Sequence, residues 1–307
     1  MTREAKLQER QAHKRNRIRM TRADVVYQVV IYTIVTLFTI CCVIPLLYVI
    51  GMSLTSEGEM IQKNYFVIIP EQPTLKAYEY VFNQFNFWNS MGISVARTIL
   101  GVAAMLVFVI PGGYIMAKRE MPGQRGIMIF FIITMLIGGG LIPGYLLMRD
   151  LKLLNTFWVY IVPAFGNTYN MLIVKLFVEN IPKDIIESAD LDGASEIQKM
   201  LKIAVPLLVP TLCALSLFAA VAHWNSWFDA LLYVRDSALH PVQFIIRSLM
   251  LASPSDTQNL SLTAFEKMTP EGVKMACVIV GMVPILCVYP FLQKYFIFGM
   301  YTGSVKG

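Results

Sequence analysis

A short acidic segment between two long apolar runs, at residues 181–202, carries the side chains most suited to binding another protein. Its first half combines apolar residues with four carboxylates, Asp184, Glu187, Asp190 and Asp192. Pro182 suits the first turn of a helix, and Gly193 suits the left-handed turn that ends one. A short amphipathic helix of this kind can lie in a groove on a partner protein. The pattern therefore predicts a docking element, with an ordinary interhelical loop as the alternative.

The sequence contains no combination of residues that predicts catalysis. The glycine-rich segment 138–144 lacks the lysine of a phosphate-binding loop, and no H-E-x-x-H zinc motif is present. His223 and Asp229 are six residues apart and would not share a face of one helix. We therefore expect no catalytic residues, no metal site and no cofactor bound by this chain.

The elements that must position the acidic segment are membrane helices. Hydrophobic residues make up 56% of the 307 residues, charged residues only 15%, and the mean hydropathy is +0.57. Soluble domains contain about a quarter charged residues. Roughly 20 apolar residues span a bilayer as a helix. Six segments qualify: Val25–Met52, Ile93–Ala117, Ile127–Met148, Phe157–Phe177, Ile203–Val234 and Met275–Gln293.

The basic residues predict that both termini and the acidic segment lie in the cytoplasm. The first 24 residues hold eight lysines and arginines, and the other segments on that side hold eight more, against seven on the opposite side. Cytoplasmic loops of membrane proteins carry this excess. A nucleic-acid-binding arm is the alternative interpretation of the basic N-terminus. No nucleic-acid motif accompanies it, so we expect contact with anionic lipid instead.

The acidic segment resembles the cytoplasmic EAA loop of ABC importer permeases. In that loop, glutamate–alanine–alanine is followed by three residues, a glycine, nine residues and isoleucine–x–leucine–proline. The matching positions here are Glu187, Ala189, Gly193, Ile203 and Pro206. Ser188 and Val205 depart from the pattern, and both are small or apolar replacements. The closing segment, YFIFGMYTGSVKG, is similar to the C-terminus of the smaller, six-helix permease of maltose-type importers, with matches at Gly299, Gly303, Val305, Lys306 and Gly307.

The resemblance implies an all-α integral membrane protein with six transmembrane helices and the type I ABC importer permease fold. The chain would sit in the bacterial cytoplasmic membrane and carry a carbohydrate, with an oligosaccharide favoured, into the cell. Its domains would be a basic tail at 1–24, the permease domain at 25–295 with the coupling loop at about 181–202, and a second cytoplasmic tail at 296–307.

The resemblance also implies the partners of the chain. These are an ABC ATPase dimer that binds ATP and Mg, a second homologous permease, an extracytoplasmic sugar-binding protein and membrane lipid. The implied ATPase contacts are Glu187, Ala189, Asp192, Gly193 and Ala194 in the loop, and Gly303, Lys306 and Gly307 in the tail.

Residue types that hold sugars occur in two of the predicted spans. Aromatic faces pack on sugar C–H surfaces, while amides and carboxylates bond to hydroxyls. Polar groups within a span are costly unless they face a cavity or a partner. The candidates are Asn167, Tyr169 and Asn170 in the fourth span, and Trp224, Asn225, Trp227 and Asp229 in the outer part of the fifth. The alternative is that the tryptophans lie at the membrane interface and the amides bond between helices.

An ion-coupled secondary transporter is the main alternative function. Such a carrier requires ionisable residues within the membrane, and only Arg97, Lys175 and Asp229 come near, at the edges of the predicted spans. A membrane enzyme is disfavoured because the three histidines are scattered.

Overall fold

The computed structural model of the protein describes residues 21–83, 87–251 and 270–304, and these ranges contain helices and no β-strand. In chain order the helices are α1 (Arg22–Ser53), α2 (Glu57–Gln62), α3 (Lys76–Asn83), α4 (Phe87–Ala117), α5 (Gln124–Leu136), α6 (Leu141–Asp150), α7 (Thr168–Glu179), α8 (Lys183–Leu191), α9 (Glu196–Asn225), α10 (Phe228–Tyr233), α11 (Val242–Leu251) and α12 (Pro270–Ser304).

Four helices in the described part of the chain are long and apolar enough to cross a membrane, namely α1, α4, α9 and the described apolar part of α12. Two bent helix pairs raise the number of spans to as many as six. The predicted all-α membrane fold is therefore confirmed. Helix α12 continues to Ser304 and so extends beyond residue 295, where we placed the end of the permease domain.

The third and fourth predicted spans are each bent. Helices α5 and α6 meet at 114° across the glycine-rich segment 137–140, in which Gly140 has a φ of +82°. The fourth span begins with two 3₁₀ turns, Phe157–Tyr160 and Val162–Gly166, and bends by 41° into α7. Glycine tolerates the left-handed backbone of the first break. At the second break Asn167 has a ψ of 76°, outside the helical region, and its side chain caps α7.

The fifth predicted span, Ile203–Val234, lies in a helix with different bounds, and its predicted end at Val234 is wrong. Helix α9 begins earlier, at Glu196, and passes through a π-helical segment at Met200–Ala204. It ends at Asn225, and residues 226–227 separate it from α10. Pro206 has no N–H for the preceding turn, which fits the π-helical segment just before it.

Helix α4 lies at the centre of the fold and packs against both α7 and α9. Their contact is an apolar cluster that includes Met105, Val109, Met171, Val174 and Leu212. A second cluster gathers α3, the start of α4, the end of α9, α11 and α12 around Trp224. We call the end of the bundle where α9 begins the Gly193 end. We call the opposite end, where α9 finishes, the Trp224 end.

The close approach of α4 and α9 depends on Gly101. A Cβ atom at this position would lie 2.4 Å from Nε2 of His223 on α9, so a larger residue requires the partly buried His223 ring to shift or the helices to move apart. Gly92, on the same helix α4, has no atom within 4 Å of the corresponding position.

We expect Gly101→Ala to lower the melting temperature of the detergent-solubilised protein, because overpacking costs about 1–3 kcal/mol. Gly92→Ala should leave it unchanged or raise it slightly, since alanine favours a helix over glycine by up to about 1 kcal/mol. Thermal unfolding of both variants checks this pair. Equal melting temperatures would contradict the close contact at Gly101.

The segment after α1 folds back on itself at the Trp224 end. The carboxylate of Glu59 accepts the backbone N–H of Glu71 at 2.9 Å and that of Gln72 at 3.3 Å, and it pairs with Lys63 at 2.9 Å. These bonds lower the pKa of the Glu59 carboxyl group, and the bond from the N–H of Glu71 has the largest effect. They join α2 to residues 71–72 and so keep the segment folded.

Candidate coupling loop and transport pathway

The acidic segment forms a helix–turn–helix at the Gly193 end. Helix α8 follows Pro182, and Gly193 has a φ of +71°, as its predicted left-handed turn requires. The N–H of Gly193 donates to the carbonyl of Asp190 at 3.1 Å, and that of Ala194 to the carbonyl of Ala189 at 3.0 Å. These bonds satisfy carbonyl groups at the end of α8.

Helix α9 then begins with a capping box. The Ser195 hydroxyl accepts the N–H of Gln198 at 3.3 Å, and the Gln198 side chain accepts the N–H of Ser195 at 2.9 Å. A reciprocal cap of this kind fixes the direction in which the chain enters the helix. The turn between α8 and α9 therefore has a defined geometry.

The loop presents both charged and apolar side chains to its surroundings. Glu187, Asp192 and Gly193 are exposed, Ala194 is half-buried and Ala189 is buried against the bundle. Large apolar residues are also exposed at this end: Leu191 by 90%, Ile197 by 66% and Ile185 by 41%. An exposed leucine at the tip of an ordered turn suits contact with another protein.

A network of charges joins the loop to α4. The Lys199 side chain is only 5% exposed, and its ammonium group contacts the carboxylates of Asp190 and, at 2.6 Å, Glu196. Glu196 also contacts the ammonium group of Lys118 and accepts the hydroxyl of Tyr114 at 3.0 Å. Because Asp190 belongs to α8, Glu196 to α9 and Tyr114 to α4, these contacts connect the loop to two spanning helices.

The three candidates in the fourth span have different surroundings: one caps a helix, one is buried in the bundle and one is exposed. Asn167 caps α7 by accepting the N–H of Asn170 at 3.1 Å. The buried side-chain amide of Asn170 lies 3.0 Å from the sulfur of Met105 on α4, whereas Tyr169 is 62% exposed. Tyr169 is therefore the residue of this group with a free aromatic surface.

Two of the candidates near the end of α9 serve contacts inside the bundle. Trp224 is buried, and its indole N–H donates to the carbonyl of Gly281 on α12 at 2.9 Å. The Asp229 carboxylate pairs with the guanidinium group of Arg97, which is 1% exposed. Arg97 also donates to the carbonyl of Ser226 at 3.2 Å and lies over the ring of Tyr160 at 4.3 Å.

The contacts of Arg97 explain why the fifth span breaks at residues 226–227. A guanidinium group buried in the bundle requires acceptors, and both the Ser226 carbonyl and the Asp229 carboxylate supply them. Arg97 lies eleven residues into α4, where it is buried, rather than at the edge of the span.

The other two candidates near the end of α9 lie together in a cavity. Asn225 and Trp227 line it with Gln243 and Arg247 of α11 and apolar residues of α12, around a volume of about 320 Å³. The Arg247 guanidinium carbon lies 4.7 Å from the centre of the Trp227 ring. The cavity brings aromatic, amide and cationic groups into one place at the Trp224 end.

Part of the predicted C-terminal contact lies outside the described residues. Gly303 belongs to α12, whereas Lys306 and Gly307 fall in the remaining segment, 305–307. The tail contact therefore stays a prediction.

Residues 15–300 match the family model of the binding-protein-dependent transport system inner membrane component. The chain belongs to this family. The permease is 41% identical to Protein LplC of Bacillus subtilis strain 168, over 86% of this chain and 90% of that protein. It is 36% identical to the polygalacturonan/rhamnogalacturonan transport system permease protein YtcP of the same organism. That match covers 92% of this chain and 98% of YtcP.

A solved structure shares the fold of the permease over almost the whole chain. It is a bacterial ABC transporter involved in the import of the acidic polysaccharide alginate, with a TM-score of 0.81 and 29% identity. The match covers 90% of this chain and 99% of the solved one. The permease is thus a membrane-spanning subunit of an ABC importer, and the resemblance stated from the acidic segment is confirmed.

The comparisons give no support to the ion-coupled alternative. Of the three ionisable residues considered for it, Arg97 pairs with Asp229, and Lys175 pairs with Glu179 at 2.8 Å. The first pair joins α4 to α10, and the second lies within α7.

Several residues of the two sites were not predicted. Lys118 and Glu196 are 78 positions apart, so no local pattern connects them. Gln243 and Arg247 lie four residues apart on one face of α11. That spacing within an apolar helix is a usable signal for a shared site, which the candidates above did not include.

Proposed function

We propose that the permease passes an oligosaccharide into the cytoplasm, driven by ATP hydrolysis on separate subunits. YtcP is a permease for polygalacturonan and rhamnogalacturonan, and the similar solved transporter imports alginate. Both names support a carbohydrate as the transported molecule. The Asn225–Trp227–Gln243–Arg247 cavity supplies groups with which such a molecule can be held.

The observation that carries the ATP-coupled part of the proposal is the ordered, exposed loop at the Gly193 end. In this account α8 lies in a groove of an ATPase subunit, with Leu191 as its apolar anchor and Glu187 and Asp192 at its polar rim. The ATPase dimer, with bound ATP and Mg, lies in the cytoplasm. The tail residues Lys306 and Gly307 extend toward it.

The membrane orientation in this proposal follows the distribution of basic residues. Both termini and the Gly193 end face the cytoplasm, and the Trp224 end faces outward. A solute-binding protein delivers the sugar to the Trp224 end, as the family description of binding-protein dependence supports. A second, homologous permease completes the pathway. Helix α1, along which residues such as Tyr32 and Phe38 are about 70% exposed, offers an apolar surface for that subunit and for lipid.

The geometry supplies a route by which ATP binding acts on the pathway. Helix α9 has 30 residues and is therefore about 45 Å long. Its first turn is tied to the loop and to α4 through Glu196 and Lys199, while its last residue, Asn225, lines the cavity. A rigid-body displacement of the loop thus moves one wall of the cavity, as alternating access requires.

Lys199→Met tests this route because methionine keeps the length of the side chain and removes its charge. Charge-assisted bonds contribute about 1.5–3 kcal/mol each when buried, and the half-exposed carboxylates reduce this to about 1 kcal/mol. We expect transport per ATP hydrolysed in proteoliposomes to fall several-fold. Lys202→Met, three residues along and exposed, is the matched control. Equal ratios for the two variants would show that the Lys199 network does not transmit motion.

Affinity purification of the tagged permease from its native membrane tests the proposed assembly. We expect an ABC ATPase, a second permease and a carbohydrate-binding protein to co-purify. Recovery of the permease alone, as a stable homo-oligomer that transports sugar without ATP, would contradict the proposal.

A further inference from the structure

The cavity at the Trp224 end combines groups that together recognise an acidic sugar. Trp227 is half-buried and presents an aromatic face, while Asn225 and Gln243 present amides that bond to hydroxyl groups. Arg247 adds a planar cation with five donors, which matches the two oxygens of a carboxylate. The volume of about 320 Å³ falls within the range of small-molecule sites, about 300–1,000 Å³.

The Arg247 side chain is exposed, contacts the Trp227 ring and has no counter-ion in the described part of the chain. It lies over the Trp227 ring, which restricts its orientation. The described carboxylates form no ion pair with it, unlike Arg97, which pairs with Asp229. A cation beside an apolar wall, unpaired with any carboxylate of residues 21–83, 87–251 and 270–304, favours an anionic ligand.

We propose that this cavity is a subsite for a uronate unit of the transported sugar, with the carboxylate on Arg247, the sugar ring on Trp227 and hydroxyl groups on Asn225 and Gln243. This inference rests on the proposed function, because it assumes that the permease transports a carbohydrate. It adds that part of the selectivity for charge lies in the permease and not only in the solute-binding protein. Arg247 is then a specificity-determining residue.

The test measures binding to the co-purified transporter in nanodiscs of phosphatidylcholine, without the solute-binding protein. Trigalacturonate is the acidic probe, and its full methyl ester is the neutral probe of the same shape. Saturation-transfer NMR gives both dissociation constants. We expect wild type to prefer the acid, and Arg247→Gln to weaken binding of the acid about tenfold while leaving the ester unchanged.

Two further variants separate charge recognition from damage to the cavity. Arg235→Gln removes an exposed arginine outside the cavity and should bind both probes as wild type does. Arg247→Lys keeps the charge without the planar fork and should fall between wild type and Arg247→Gln. An equal loss of both probes in Arg247→Gln, or an unchanged preference for the acid, would overturn the proposal.

A lipid phosphate is the competing occupant of Arg247, and the same preparation distinguishes it. Nanodiscs with and without phosphatidylglycerol are compared. The proposal is wrong if phosphatidylglycerol binds in an Arg247-dependent manner and trigalacturonate fails to bind even in nanodiscs without that lipid. If neither probe binds but the complete transporter hydrolyses ATP in response to a neutral sugar, the uronate subsite fails and the proposed function stands. Only the absence of every carbohydrate-dependent response in the complete transporter would contradict the function itself.

Discussion

Gly193→Val is expected to abolish most sugar transport while the permease remains assembled in the membrane. Gly193 has a φ of +71° in the turn between α8 and α9. A β-branched residue in this region costs about 1–3 kcal/mol. The turn would shift toward other conformations and detach α8 from the charges that tie it to α4. We expect transport in proteoliposomes to fall about tenfold or more, with ATP hydrolysis persisting without transport.

Gly193→Asn is the control that separates backbone conformation from size. Asparagine tolerates the left-handed region better than most non-glycine residues, and a Cβ at this position meets no described atom within 4 Å. We therefore expect Gly193→Asn to retain most of the transport. If asparagine and valine were equally harmful, a side chain of any kind would be excluded there, and the argument from φ would be wrong.

Asp229→Asn is expected to be the most destabilising single change at the Trp224 end. It leaves the guanidinium group of Arg97, which is 1% exposed, without its counter-charge. Removing one member of a buried pair costs about 3–5 kcal/mol. Since Asp229 is itself a quarter exposed, we expect about 3 kcal/mol. Thermal unfolding of the solubilised permease should show a markedly lower melting temperature.

An exposed ion pair elsewhere in the chain provides the comparison. Arg149 and Asp150 are 57% and 66% exposed, so Asp150→Asn should change the melting temperature little. The double variant Arg97→Met/Asp229→Leu removes both charges and should recover part of the loss. A melting temperature of Asp229→Asn equal to that of Asp150→Asn would show that the Arg97 pair does not hold the break at Ser226.

The spans and the loop could be predicted because both depend on local patterns. Long apolar runs indicate membrane helices directly. The left-handed turn at Gly193 follows from the residue type, because glycine adopts a positive φ more readily than any other residue. The 114° bend between Leu136 and Leu141 could not be predicted from the sequence, because glycines in a membrane helix are equally compatible with close helix packing.

The contacts that give the two sites their shape depend on residues far apart in the chain. The break after Asn225 required Arg97, which lies 129 positions before Ser226. The attachment of the loop required Lys118, which directly follows α4. A cation in an apolar helix can face lipid head groups, a carboxylate or a cavity. Which of these it faces is decided only when the helices pack together.

The central claim is that the Gly193 end docks on an ATPase. The most direct measurement is photo-crosslinking from position 191 of the co-purified transporter, with a photoreactive amino acid in place of Leu191. Ile69, at the Trp224 end, is the matched control, because the two side chains are 90% and 79% exposed. We expect position 191 to crosslink to the ATPase and position 69 not to. An ATPase that co-purifies but crosslinks from position 69 and not from position 191 would contradict the account.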